Sequence, residues 1–298
     1  MRIHRNAPHP IRVVFLLVVA VLGGVVALIP FARPSHSAEA LKNPFRTGHT
    51  LVIPHGGGDG VYPEDTLLAY EKTMAAGADV VDVDVRLSLD HVPVLIHDAD
   101  TKRTTGQNGT VSALTAADLG KLDAGWSFGS QTHPFRNKNV HIPTLETILK
   151  RFPGVLLSID LKDESLYMIK PVCDLLRAYH RRNDVFVGSN NDQQILAFRT
   201  RCPDVRTSAT MIDVHESQNA RATGAKDFVS AVGIDQPPYR IGGRTLVDSG
   251  SLGFAHAHDI AILTWVVNDP VDLQHLVDIG VDGIYTSYPD RLLKVLHR

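Results

Sequence analysis

Cysteine is scarce in this chain: there are two in 298 residues. Cys173 and Cys202 lack the paired spacings that hold zinc, which excludes a cysteine-ligated metal centre. In an oxidising compartment they can join in one disulfide; otherwise they are two buried thiols. Charge of one sign is scarce too, with 30 Lys and Arg against 32 Asp and Glu and a formal net charge of −2. Residues 1–40 carry four Arg and one Glu, so without them the charge moves from −2 to −5. A mildly acidic domain has no electrostatic footprint for nucleic acid, and no nucleic-acid partner is expected. Internal repeats and low-complexity tracts are also missing, which excludes a solenoid.

One long hydrophobic run is present. Arg2, His4, Arg5 and Arg12 precede apolar residues from Val13 to Ile29, followed by Pro30 and then Ala38-Glu39-Ala40. A basic start, an apolar middle and small residues in an Ala-x-Ala pattern are the layout of a secretory signal. The run is also barely long enough to span a bilayer, so residues 1–40 are a signal peptide or an N-terminal membrane anchor. Either way the basic end stays in the cytoplasm and residues 41–298 cross. The expected location is export, periplasmic or secreted, or anchored with the domain outside. Membrane contact is then expected only through the uncleaved segment.

Chemistry concentrates between residues 50 and 98. Asp82 and Asp84 alternate with valines, so both leave the same face of a strand. Two carboxylates aimed together repel unless a positive group lies between them, which points to a hard divalent cation; a solvated strand edge is the other reading. A tight turn centred between Asp90 and His91 would pair residues whose numbers sum to 181, setting His97 opposite Asp84. A histidine there can be a metal ligand, a general acid/base or a strand-end residue, and its place at the level of the carboxylates favours proton transfer. Upstream, Thr50–Pro54 reads as a buried strand that empties into His55-Gly56-Gly57-Gly58-Asp59-Gly60. Such glycines let backbone approach a phosphate, or simply make a turn. Glu64 stands at the entrance of a helix from Leu67 to Ala76, stopped by Gly77.

Together these segments resemble the glycerophosphodiester phosphodiesterase family, among the phospholipase-C-like phosphodiesterases. The likeness runs in order through His55-Gly56-Gly57, Pro63-Glu64-Asp65-Thr66, Gly77-Ala78-Asp79, Asp82-Val83-Asp84-Val85, Ser88-Leu89-Asp90-His91 and Ile96-His97-Asp98. It continues through Arg103-Thr104-Thr105, Ile142-Pro143-Thr144-Leu145-Glu146, Ser158-Ile159-Asp160-Leu161-Lys162, Thr264-Trp265-Val266-Val267-Asn268 and Gly280-Val281-Asp282-Gly283. The resemblance implies that His55 and His97 are the general acid/base pair and that Asp82, Asp84 and Asp160 hold one divalent cation, Mg2+ or Ca2+. It implies a phosphate-facing Lys162, a substrate wall at Trp265, and supporting places for Gly56 and Glu64. Members of that family carry Arg where Gly56 stands, Asn at Asp65, and Glu at Asp82 and Asp160.

The implied reaction is hydrolysis of a glycerophosphodiester to sn-glycerol 3-phosphate and an alcohol, with attack by a neighbouring hydroxyl or by water. Gly56 keeps open a lysophospholipase D or sphingomyelinase D-like reaction that releases a cyclic phosphate from a lysophospholipid. A non-catalytic binding protein on the same scaffold is the remaining alternative. The implied fold is α/β, a single (β/α)8 TIM-type barrel. Strand-like runs at 50–54, 79–87, 93–97, 155–161, 184–188, 206–210, 231–235, 261–267 and 283–286, most separated by stretches such as Tyr167–Arg181 and Asp192–Arg201, support it. Nine runs for eight slots make the barrel irregular around its second and third strands, with 93–97 antiparallel to its predecessor or outside the order. Residues 104–143, rich in glycine, suit small helices over the mouth. His133, His141, His215, His256, His258 and His275 are read as surface or packing residues, although His256-x-His258 has a spacing that can bind metal.

Overall fold

The structure, a computed structural model, describes residues 42–298 apart from Ser130 and Lys226; the reading of residues 1–40 lies outside them. No helix among the described residues is long and apolar enough to cross a membrane. The strands are β1 (Leu51–Pro54), β2 (Val80–Leu87), β3 (Pro93–Leu95), β4 (Leu156–Leu161), β5 (Val185–Gly188) and β6 (Arg206–Thr207). They continue with β7 (Ile234–Asp235), β8 (Arg240–Ile241), β9 (Arg244–Thr245), β10 (Ala261–Thr264) and β11 (Gly283–Thr286).

Two parallel arcs build the barrel, β7-β10-β11-β1 and β2-β4-β5-β6. Between the arcs, the Asp79 N–H donates to Val52 O at 3.0 Å, and the Ala209 N–H to Ile234 O at 2.8 Å. The eight parallel strands thus follow one another in chain order around a (β/α)8 barrel. Helices follow them at Leu67–Ala75, Leu145–Arg151, Ile169–Ala178, Asp192–Arg201, Met211–Thr223, Ser249–Ala257, Pro270–Asp278 and Pro289–Val295. Thr66, Thr144, Asn191, Thr210, Asp248 and Asp269 cap six of these, each accepting an orphan N–H of the first turn.

Alternation along the strands separates two cores. Leu51, Ile53, Val80, Phe186, Ile234, Ala261, Leu263 and Tyr285 fill the interior, joined by Phe45, which meets Phe186 edge-on at 5.0 Å. Val81, Val83, Val85, Leu157, Ile159, Val185 and Val187 pack outward against Ile148, Leu149, Val172, Leu176 and Phe198. The odd-numbered valines of β2 therefore face the helices, which leaves Asp82 and Asp84 on the interior face with Val80. Cys173 and Cys202 are joined in a fully buried disulfide that ties helix Ile169–Ala178 to the end of helix Asp192–Arg201. The structure thereby settles the choice between a bridge and two thiols.

β3 runs antiparallel to β2, but its register departs from expectation. Val85 faces Leu95, Arg86 faces Val94 and Leu87 faces Pro93, so paired numbers sum to 180. The loop is three residues long, Leu89–His91: the His91 N–H donates to Ser88 O at 3.0 Å, the Ser88 N–H to Val92 O at 3.1 Å, and His91 has φ 59°. A left-handed residue closing a three-residue turn shifts the partner strand by one position. Ile96, whose N–H donates to Asp84 O at 3.0 Å, takes the place expected of His97. The strand also stops at Leu95, and His97 sits on the loop beyond it. Residues 102–142 bear the short helices Lys102–Thr105, Val111–Ala113 and Ala116–Leu119; Val111, Leu119, Ala124, Val140 and Ile142 pack under them with Val94 and Ile96. The small hairpin β8-β9, which no alternation announced, fills part of the connection from β7 to β10.

Candidate active site

The candidate residues collect at the C-terminal ends of β1, β2 and β4 and on the loops that follow. β1 delivers His55 into a single 3-10 turn, His55–Gly57. Its Nδ1 lies 3.2 Å from Asp59 Oδ2. Burial pulls the His55 pKa down, but the hydrogen bond to Asp59 and the negative charges of Asp82, Asp59 and Asp84 outweigh it and hold the ring up at about 9. Gly56 has φ 51°, and its N–H donates to Asp82 Oδ2 at 3.2 Å. A Cβ there would meet Glu64 Cγ at 3.0 Å, so the missing side chain leaves the ground Glu64 occupies.

Parallel pairing of β2 and β4 sets Asp82 beside Ser158 and Asp84 beside Asp160. Lys162 lies across the second pair, with Nζ 3.2 Å from Asp84 Oδ1 and 2.7 Å from Asp160 Oδ2. Burial pushes the Asp84 carboxyl up; Lys162 opposes this, Asp82 and Asp160 reinforce it, and the balance is about 7. Asp82 is likewise raised by burial, against the pull of His55, Ser158, the Gly56 N–H and Lys162. Burial draws the Lys162 ammonium down, and Asp160 and Asp84 more than restore it. The site therefore holds more buried carboxylate than its own cations compensate, the condition a divalent cation relieves.

A second acidic group adjoins the first. Oxygens of Glu64, Asp65 and Asp84 lie within 4.8 Å of one another. Asp65, at φ 54°, accepts the Tyr70 hydroxyl at 2.7 Å and the Asp84 N–H at 3.2 Å on Oδ1, while its buried Oδ2 has no partner. Arg103 donates to Glu64 Oε2 at 2.5 Å and to Asp98 Oδ2 at 2.6 Å. Asp98 in turn lies 2.9 Å from His97 Nδ1, which orients the ring and leaves Nε2 for chemistry. His97, Glu64, Asp65 and Thr104 line one small cavity.

Trp265 stands at the end of β10, partly exposed, its indole N–H fixed to Gln236 O at 2.6 Å. Gln236 Nε2 donates to the Tyr285 hydroxyl at 2.6 Å, which lies 3.0 Å from Ser158 Oγ beside Asp82. His256 and His258 do not meet at a common point: His256 Nε2 is 2.8 Å from Asp282, and the His258 ring packs on Phe228 and Phe254. Sequence reasoning missed Asp59 and Asp98 as the carboxylates that hold the two histidines. The signals were a carboxylate four residues after His55 and another directly after His97.

Comparison with known proteins places the chain in a family. The sequence profile of the glycerophosphoryl diester phosphodiesterase family matches residues 55–291. The chain belongs to that family. It is 29% identical to a glycerophosphodiester phosphodiesterase of Bacillus altitudinis, over 83% of this chain and 98% of that one. It is also 26% identical to a lysophospholipase D of Homo sapiens, over 93% and 95%. Among solved structures, a phosphodiesterase of Oleispira antarctica in complex with sn-glycerol-3-phosphate superposes with a TM-score of 0.68 at 21% identity, covering 84% of this chain and 98% of that one. As a glycerophosphoryl diester phosphodiesterase family member the protein is an enzyme of the phosphoric diester hydrolase type, and its barrel is the fold of its structural neighbours.

Proposed function

We propose that this enzyme hydrolyses glycerophosphodiesters to sn-glycerol 3-phosphate and an alcohol, with His55 and His97 as its paired general acid and base. The observation that carries the reading is the arrangement of two histidines, each held at Nδ1 by a carboxylate, over a buried acidic cluster at the barrel mouth. His55, drawn toward its charged form by Asp59, Asp82 and Asp84, suits the proton donor to the departing alcohol. His97, more exposed and oriented by Asp98, suits the acceptor from the attacking hydroxyl. Each transfer of this kind contributes about 10²- to 10⁴-fold. Lys162 offers its ammonium to the phosphate, and Trp265 walls the substrate.

Asp82, Asp84 and Asp160 are the residues that would hold a divalent cation, Mg2+ or Ca2+, and the excess of buried carboxylate supports the fit. When bound, such a cation neutralises phosphoryl oxygens and lowers the barrier to attack on an anionic diester. The product in the Oleispira complex is the phosphate expected of this reaction. The human relative named a lysophospholipase D supports a second reading, in which the substrate is a lysophospholipid; release of a cyclic phosphate is the outcome that Gly56 keeps open. Hydrolysis of a panel of glycerophosphodiesters and lysophospholipids, with and without chelator and with the phosphate products identified, separates the two. Full turnover in excess chelator would end the metal reading.

Export accords with the buried disulfide and with the basic, apolar and small-residue order of residues 1–40. The N-terminal residue of protein recovered outside the cell distinguishes cleavage after Ala38-Glu39-Ala40 from an intact anchor.

A further inference from the structure

We infer that Arg103 is a positioning residue of this site: it fixes Asp98 beside His97 and, through Glu64, ties the loop that carries His97 to the loop that carries His55. The inference rests on the proton-transfer role proposed for His97.

Arg103 stands on the short helix Lys102–Thr105, which follows the loop bearing His97. Its guanidinium forks over Asp98, with Nε donating to Oδ2 at 2.6 Å and Nη2 to Oδ1 at 3.2 Å. Oδ1 also faces His97 Nδ1 at 2.9 Å. The hydrogen bond from Arg103, more than that from His97, holds the Asp98 carboxyl below the usual carboxylate range against the effect of burial. An ionised carboxylate only accepts, so Nδ1 carries the proton and Nε2 presents its lone pair. The main chain of His97 is pinned separately, by Arg86 Nε on His97 O at 2.8 Å, so Arg103 bears on the ring.

The same Nη2 reaches Glu64 Oε2 at 2.5 Å. Glu64 Cγ lies 3.0 Å from where a Cβ of Gly56 would stand, next to His55. The charge of Arg103 is also felt by Asp59, the partner of His55. One guanidinium thus joins the two loops that bear the histidines. Half of its side chain is exposed, and an exposed ion pair adds little stability, which leaves orientation as its contribution. Lysine, a point charge, cannot reproduce the fork.

The test is steady-state hydrolysis of glycerophosphocholine by the full chain, with a thermal melt, for the parent, Arg103→Ala, Arg103→Lys and Arg151→Ala. Arg151 forms an exposed pair with Glu71 at 2.7 Å on an outer helix and serves as the control. Arg103→Ala is expected to lower kcat by at least about tenfold with KM within about threefold of the parent, as misplacement of a reacting group does. Its Tm should match that of Arg151→Ala. Added methylguanidinium should restore part of the lost rate, and Arg103→Lys should fall between alanine and parent. Parent-like kcat in Arg103→Ala overturns the inference and leaves an ordinary surface pair. A raised KM at unchanged kcat overturns it too, and assigns the arginine to substrate binding. A second measurement does not depend on turnover. Side-chain nitrogen NMR shifts of His97, assigned by comparison with His97→Gln at a pH where the ring is neutral, should show the proton on Nδ1 in the parent and a mixture of tautomers in Arg103→Ala. The same tautomer in both overturns the inference. A parent that leaves glycerophosphocholine intact ends the proposed hydrolysis, and these shifts still decide the role of Arg103.

Discussion

Gly56 stands where relatives of the resembled family carry arginine, and restoring that arginine is the sharpest perturbation of this site. Two costs can be worked out from the structure. An L side chain at φ 51° costs about 1–2 kcal/mol. In a domain of this size 1 kcal/mol lowers Tm by about 2–4 °C, so Gly56→Arg should melt about 2–8 °C lower from backbone strain alone. The second cost falls on the site: the new Cβ lies 3.0 Å from Glu64 Cγ, so Glu64 must give by a few tenths of an ångström, which disturbs its ion pair with Arg103, the residue that also holds Asp98 beside His97. Loss of kcat with little gain in KM is therefore expected. Gly56→Asn separates the effects, since asparagine tolerates the left-handed region yet still carries the Cβ; it should keep Tm near the parent while losing activity. The assay is steady-state hydrolysis of a glycerophosphodiester with a thermal melt for each variant. If Gly56→Arg lowers KM with kcat and Tm unchanged, the reasoning fails and the glycine is simply a missing phosphate contact.

His97→Ala should reduce kcat by at least about 10²-fold, and retention of more than a tenth of the parent rate would remove it from the chemistry. Removing the bridge with Cys173→Ser and Cys202→Ser together should cost about 3–4 kcal/mol for a sequence separation of 29, read as a lower denaturant midpoint; an unchanged midpoint would mean the bridge closes little unfolded-state freedom. The pH dependence of stability has a defined sign. Asp84, held near 7 when folded against 3.8 as a free side chain, binds its proton more tightly in the native state, so cation-free stability should fall as pH rises between those values. His55, held near 9 against 6.5, adds stability below 6.5 that is lost as pH rises through 9. Thermal melts from pH 4 to 9 in chelator should therefore decline, and saturating divalent cation should flatten the lower part; a flat chelator profile would contradict both shifts.

What could be read from the sequence was what repeats at fixed spacing. Valines at 81, 83 and 85 separate the two faces of β2 without reference to any other segment, so the common orientation of Asp82 and Asp84 followed directly. The parallel strands were visible as buried apolar runs, and β6 and β7 came out shorter than their runs, as Arg206–Thr207 and Ile234–Asp235, although Ser208, Ala209 and Gly233 still bond to neighbouring strands. The hairpin register was not legible, because it turns on a histidine adopting φ 59° at position 91, a conformation that composition does not announce. The one-residue slip did not displace His97 from the site, since the loop beyond Leu95 carries it back to Asp98, Glu64 and Asp65. Asp65 was hidden for a related reason. As part of Pro63-Glu64-Asp65-Thr66 it reads as a helix entrance, and only its left-handed backbone and the nearness of Asp84 from another strand place its carboxylate in the acidic cluster. Local periodicity thus located the residues that strands carry. Those that depend on single left-handed positions and on contacts between distant segments needed the folded chain, and they are the ones that surround His55 and His97 and orient them.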